Sequence, residues 1–182
     1  MIEKYALFRV FAALRNSGGR ESVHSAAKKA KVSVSAAKHC LDYLFKKNML
    51  TKEVFGRMYQ YGLNLENPAL RHIKVAFSLQ ELQDSGIVEE TKAHAPDILS
   101  ITLFGSTATG RDTLQSDIDI VIVSREKHRN SGFHAEKKIG REMSWHWYSL
   151  NEWKKIAAED KPFYESVVID GIPLFGEKPV VK

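Results

Sequence analysis

Two short apolar segments, Ile98 to Phe104 and Ile118 to Val123, are joined by Gly105-Ser106, ten further residues and then Asp117-Ile118-Asp119. Short apolar runs bounded by turn residues read as strands. The glycine-rich stretch Gly105-Ser106-Thr107-Ala108-Thr109-Gly110-Arg111 follows the first strand directly. A turn of this kind lets backbone N–H groups approach an anion closely, and Ser106 adds a hydroxyl donor. Side chains alternate along a strand, so Asp117 and Asp119 share one face. Two adjacent carboxylates repel unless a cation or a proton lies between them, and a hard divalent ion such as Mg²⁺ takes oxygen ligands of this kind together with substrate phosphates. A phosphate cradle beside a metal seat is an arrangement for phosphoryl transfer. Arg111 either neutralises phosphate charge or is a solvated loop arginine.

The net charge of +5 over 182 residues is unevenly spread. Residues 1–66 carry 12 Lys+Arg against 5 Asp+Glu, a net of +7, and residues 67–182 carry 15 against 17, a net of −2. A basic module joined to a near-neutral one is either the electrostatic footprint of nucleic-acid binding next to a different task or a basic solvated face with no ligand. There is no run of 18 apolar residues, and Met1-Ile2-Glu3-Lys4 opens no apolar signal segment, so a cytoplasmic chain without a membrane partner is expected. The single cysteine, Cys40, excludes an internal disulfide framework and a cysteine-based zinc ribbon.

In the basic third, Leu7, Phe8, Phe11 and Leu14 recur at helical spacing, and a helix over residues 2–15 is predicted to stop at Asn16-Ser17-Gly18-Gly19. A second helix is predicted over Ser22 to Ala30. After the turn Lys31-Val32-Ser33 comes a third, with Ser33 as its N-cap and Ala37, Cys40, Leu41 and Leu44 facing inward. Leu50 to Phe55 and Met58 to Leu63 read as a hairpin around Gly56-Arg57. This order of elements resembles winged helix-turn-helix DNA-binding domains. The resemblance implies Val34, Ser35, Lys38 and His39 near base edges, with Lys28, Lys29, Lys31, Lys46, Lys47 and Arg57 on phosphates. A winged helix used for protein contact is the other reading. Asn67-Pro68 then opens a connecting helix, interrupted at Asp84-Ser85-Gly86, and Ile87 to Ala95 reads as a second helical piece ended by Pro96.

Gly105-Ser106, Gly110 and Ser116-Asp117-Ile118-Asp119 resemble the signature of minimal polymerase β-type nucleotidyltransferases, Gly-Ser, ten residues, Asp-x-Asp, over about Ile98 to Gly176. The resemblance implies that Gly105 and Ser106 touch a nucleoside triphosphate, ATP foremost. Asp117 and Asp119 would hold Mg²⁺ or Mn²⁺, and a nucleoside monophosphate would pass to an acceptor with release of pyrophosphate. Members of this family often act beside a helical partner protein of toxin–antitoxin type, and a second chain or a homodimer would close the pocket. The family supplies a third carboxylate from a later strand. Here the candidate strand is Glu142 to Tyr148, and aligning its exit places His146 at that position, with Glu142 four residues earlier. His146 reads as a general base, as a ligand for Mn²⁺ or Zn²⁺, or as an ordinary strand residue, with Trp145 and Trp147 on the opposite face. Lys127, His128, Arg129, Lys137, Lys138 and Arg141 form a basic stretch, mostly solvated or an acceptor surface, around a loop at Ser131-Gly132.

The expected fold is α+β: a winged helix-turn-helix domain over 1–66, a helical connector over 67–95, and a polymerase β-like domain with a mixed sheet and flanking helices over 96–182. The expected function is metal-dependent nucleotidyl transfer to a protein or nucleic-acid acceptor. The alternative is a catalytically impaired nucleotidyltransferase fold serving a DNA-binding regulator or nucleotide sensor.

Overall fold

The computed structural model describes residues 5–18, 20–56, 58–128 and 133–181. Arg57, Arg129 and the Ser131-Gly132 loop lie outside them. The chain divides into two compact units, one up to Lys74 and one from Val75 onward. The segment 67–95 therefore forms no separate body: its long helix carries Leu70 in the first unit and Leu82 in the second.

In the first unit, helices α1 (Ala6–Arg15), α2 (Val23–Ala30) and α3 (Val34–Lys46) pack against a three-stranded antiparallel sheet ordered β1-β3-β2. Its strands are β1 (Glu21–Ser22), β2 (Leu50–Phe55) and β3 (Met58–Leu63). The two-residue β1, which pairs Glu21 with Tyr61, is too short to leave a mark in hydropathy. Small residues let the helices approach: Ala26, Ala27, Ala30 and Ala37 are buried with Val10, Leu14, Leu41 and Leu44. Val10, not Phe8, completes the inner face of α1. Ser22 caps α2, accepting from Ser25 N at 3.2 Å, and Ser33 caps α3, accepting from Ala36 N at 3.1 Å. Between them Lys31 adopts the left-handed conformation that ends α2.

Helix α4 (Pro68–Ser85) starts with proline at its first position and with Asn67 Oδ1 accepting from Leu70 N at 3.0 Å. It runs through Asp84-Ser85 without a break, and the chain turns only at Gly86 (φ +78°) into α5 (Ile87–His94).

The second unit is built on a mixed sheet ordered β6-β5-β4-β7, in which β5 and β6 are parallel and the other pairs antiparallel. The strands are β4 (Ile98–Phe104), β5 (Ile118–Ser124), β6 (Met143–Ser149) and β7 (Ile172–Gly176). Among the described residues it also holds α6 (Gly105–Thr109), α7 (His134–Ile139), α8 (Leu150–Glu159), α9 (Lys161–Glu165) and a π-helical turn at Ser166–Asp170. One sheet face, with Ile118, Ile120 and Ile122, packs with Trp145 and Trp147 against Leu82, Ile87 and Ala135 of α4, α5 and α7. The other, with Val121 and Val123, meets Trp153, Phe163 and Val167 of α8, α9 and the π turn. Because both faces are covered, β5 is apolar at nearly every position after Asp119. Among the described residues no helix is long and apolar enough to cross a membrane.

Candidate active site

The site lies where β4 ends, at the start of β5. Gly105 follows Phe104 with φ +70°, a conformation that L side chains rarely adopt. A Cβ at Gly105 would stand 2.5 Å from Asp119 Oδ2, so the backbone and the carboxylate need the same space. This follows from the β4–β5 register, which pairs Phe104 with Asp119. The glycine-rich stretch after β4 is not an open turn. It folds into the single helical turn α6, closed by Gly110 in the left-handed conformation and by Arg111 N donating to Ser106 O at 2.9 Å. Ser106 is half-buried at its start, and Arg111 is exposed just beyond its end.

Asp117 is exposed immediately before β5, and Asp119 is half-buried inside it. Burial pushes the Asp119 carboxyl above its ordinary value; His146 pulls it down, the charge of Asp117 adds to the rise, and Arg141 again opposes it. A cation between the two carboxylates would relieve both the burial and the repulsion.

The loop carrying Asp117 is fixed by a residue whose role the sequence does not show. Arg141 pairs through Nη1 with Asp112 Oδ2 at 3.0 Å, and its Nη2 donates to Ser116 O at 2.7 Å and to Thr107 Oγ1 at 3.4 Å. The two charged side chains are 11% and 5% exposed, so Arg141 belongs to the interior and not to a solvated basic surface. Thr107 also donates to Asp117 O at 3.5 Å. One guanidinium thus ties α6 to the residue preceding Asp117. Asp112 and Arg141 lie 29 positions apart and neither stands in a motif. Of the same basic stretch, Lys127 is engaged by Glu152, His128 Nε2 meets Asp97 Oδ1 at 2.5 Å and Lys138 donates to Ser85 O at 3.1 Å, while Lys137 is exposed.

Strand β6 brings His146 to the Asp119 face, but in register with Val121; the residue beside Asp119 is Ser144. His146 therefore sits one step further along the strand than a carboxylate paired with Asp119 would. Its ring is held between Phe104 and Phe163, at centroid distances of 5.4 and 5.6 Å, and its Nε2 is 3.2 Å from Ser144 Oγ. Glu142 accepts the Ile118 N–H through its backbone oxygen at 2.9 Å, and its side chain is exposed. Trp145 and Trp147 lie on the opposite face, where Trp145 Nε1 donates to Glu136 Oε1 of α7 at 2.7 Å. Among the described residues no group of three or more His, Cys, Asp or Glu side chains is placed to hold a metal ion. Two hard carboxylate donors with the rest of the shell open suit an ion such as Mg²⁺, which is commonly held by one or two carboxylates plus substrate phosphates.

In the first unit Lys28, Lys31, Val34, Ser35, Lys38, His39, Lys46 and Lys47 are exposed along α2, α3 and the turns that follow them. Two of the expected phosphate or base contacts have internal partners. Lys29 pairs with the buried Glu21 at 2.5 Å, and Lys38 with Asp42 at 3.0 Å. Cys40 packs against the core, and burial pushes its thiol upward.

Residues 85–169, a span that includes β4, β5, β6 and the Asp pair, are similar to the family model described as the nucleotidyltransferase domain. A comparison with curated proteins finds no match. A solved structure described as the mechanism for regulation of DNA binding of Bordetella bronchiseptica BpsR by 6-hydroxynicotinic acid is 23% identical, with a TM-score of 0.36. The likeness covers 45% of this chain and 61% of that one, less than two thirds of its length.

Proposed function

We propose that the second unit is a metal-dependent nucleotidyltransferase that moves a nucleoside monophosphate from a nucleoside triphosphate, ATP foremost, to an acceptor hydroxyl. The observation that carries this reading is the fit of Gly105 against Asp119: the glycine of the Gly-Ser pair is held where a side chain would displace a carboxylate. Asp117 and Asp119 would hold Mg²⁺ or Mn²⁺, which when bound supplies positive charge to the phosphates and to the charge that builds up on the leaving pyrophosphate. Ser106 would offer its hydroxyl to the triphosphate, and the exposed Arg111, whose N–H closes α6, would meet triphosphate charge with its guanidinium. Arg141 acts through Ser116 and Thr107, fixing where the Asp117 backbone stands. His146, its ring held by Phe104 and Phe163, would take the acceptor proton.

For the first unit the reading is DNA binding by a winged helix. It is supported by the exposed Lys28, Lys31, Val34, Ser35, Lys38 and His39 around the α2–α3 turn and by the net charge of +7 over residues 1–66. Phosphate contacts from the lysines would give affinity, and the α3 residues would supply what base readout there is.

The test is incubation of the purified chain with each α-labelled nucleoside triphosphate and Mg²⁺ or Mn²⁺, following label transfer to the chain itself, to RNA and to co-purifying proteins. Transfer by the wild type and none by Asp117→Asn is the expected result. Equal transfer by both would remove Asp117 from the chemistry, and none by the wild type while nucleotide is still bound would favour a nucleotide sensor.

A further inference from the structure

The hydroxyls around the Asp pair differ in what they are bound to. Thr109 donates back to Gly105 O and Ser106 O, and Thr107 donates to Asp117 O. Ser116 is occupied by Thr113. Ser144 alone in this set meets a base: its Oγ lies 3.2 Å from His146 Nε2.

Ser144 is also the register partner of Asp119 on the adjacent parallel strand, so the two side chains project to the same face from neighbouring backbones. Adjacent strands lie about 4.8 Å apart, so the Ser144 hydroxyl stands next to the Asp119 carboxylate, beside the place where a cation held by the Asp pair would meet the phosphates. A serine hydroxyl is a weak nucleophile by itself and is activated by an adjacent base held in a fixed orientation. Phe104 and Phe163 fix the imidazole, and both Ser144 and His146 are only half-buried, so the pair is accessible.

We propose that Ser144 is itself a nucleotidyl acceptor, modified by the chain's own site with His146 as the base. This rests on the nucleotidyl-transfer reading and names one acceptor for it. The bond from Ser144 Oγ to the α-phosphorus forms, and the bond from that phosphorus to the oxygen bridging the β-phosphate breaks. Pyrophosphate leaves, and the hydroxyl proton passes to His146 Nε2. The product is a phosphodiester on Ser144, and nothing is oxidised or reduced.

The experiment uses the full chain with all four nucleoside triphosphates and Mg²⁺ or Mn²⁺. Pyrophosphate release, binding of a fluorescent ATP analogue and the site of modification, mapped by peptide mass spectrometry, are followed on the same samples. The expected result is one nucleoside monophosphate on Ser144. Ser144→Ala would lose the label and keep analogue binding, Ser144→Thr would retain the label, and His146→Ala would slow labelling by about 100-fold or more. Label mapped to another residue, label retained in Ser144→Ala, or pyrophosphate release with Ser144 unmodified would each overturn the proposal and leave the transfer reading standing. A wild type that neither releases pyrophosphate nor becomes labelled would overturn both.

Discussion

In the first unit the candidate contacts are single exposed side chains spread along α2, α3 and the turn between them. In the second they are three backbone segments, the β4–α6 junction, the loop before β5 and the start of β6, held together by Gly105, Arg141 and strand register. A surface of the first kind tolerates the loss of any one member, because each lysine adds its own share of charge. A site of the second kind does not, since each part fixes the position of the next. The comparison predicts graded losses in one half and abrupt ones in the other.

The largest effects should come from the Asp pair. Asp117→Asn or Asp119→Asn is expected to abolish nucleotidyl transfer while leaving the melting temperature and DNA affinity near those of the wild type, as checked by label transfer, calorimetry and fluorescence anisotropy. Gly105→Ala should be nearly as severe: a left-handed conformation costs a non-glycine residue about 1–2 kcal/mol, and the new methyl group must also displace Asp119. A Gly105→Ala chain that transfers nucleotide at the wild-type rate would break the link between the glycine and the carboxylate.

Arg141→Met removes one partner of a buried ion pair and leaves Asp112 without its guanidinium, a loss of roughly 3–5 kcal/mol in urea unfolding, with weaker transfer in whatever folds. In the first unit, Lys28→Ala and Lys31→Ala should each weaken DNA binding modestly and equally across sequences. Each should lower the slope of log affinity against log salt by about 1. An all-or-none loss from either lysine would erase the contrast between the two halves.

The smallest expected effect is acid sensitivity. Glu152 in the α8 capping box is held at about 2, against an ordinary 4.5, by Lys127 and by the N–H and hydroxyl of Ser149. A carboxyl with a lowered folded value stabilises the fold fully above its unfolded value, and the contribution disappears as pH falls toward the folded one. Stability should therefore drop between pH 4.5 and 2. Glu152→Gln should flatten that part of the curve, measured by thermal melting across the range.

What was legible in the chain was what short-range pattern encodes. The apolar runs marked β4 and β5, the two runs of β-forming residues around Gly56-Arg57 marked β2 and β3, and Ser33 marked the start of α3. The Asp-x-Asp spacing marked two carboxylates near enough for the charge of Asp117 to raise Asp119, and the parity of β6 separated His146 from its two flanking tryptophans. What remained hidden depends on partners distant in sequence. By pattern the α6 stretch is only a glycine-rich turn, because five residues of Gly, Ser, Thr and Ala carry little helical signal; its hold comes from Gly110 and Arg111. Arg141 looked like one charge in a basic run, and only the fold brings Asp112 and Ser116 to it. Ser144 could have been singled out only once the β5–β6 register was known.

The central claim is that Gly105, Asp117 and Asp119 form one catalytic seat. It is tested most directly by measuring pyrophosphate release from ATP with Mg²⁺ for the wild type, Asp119→Asn and Gly105→Ala side by side, each confirmed folded by its melting curve. Release by the wild type with both variants at background is the predicted result. Release by Asp119→Asn at the wild-type rate would contradict it.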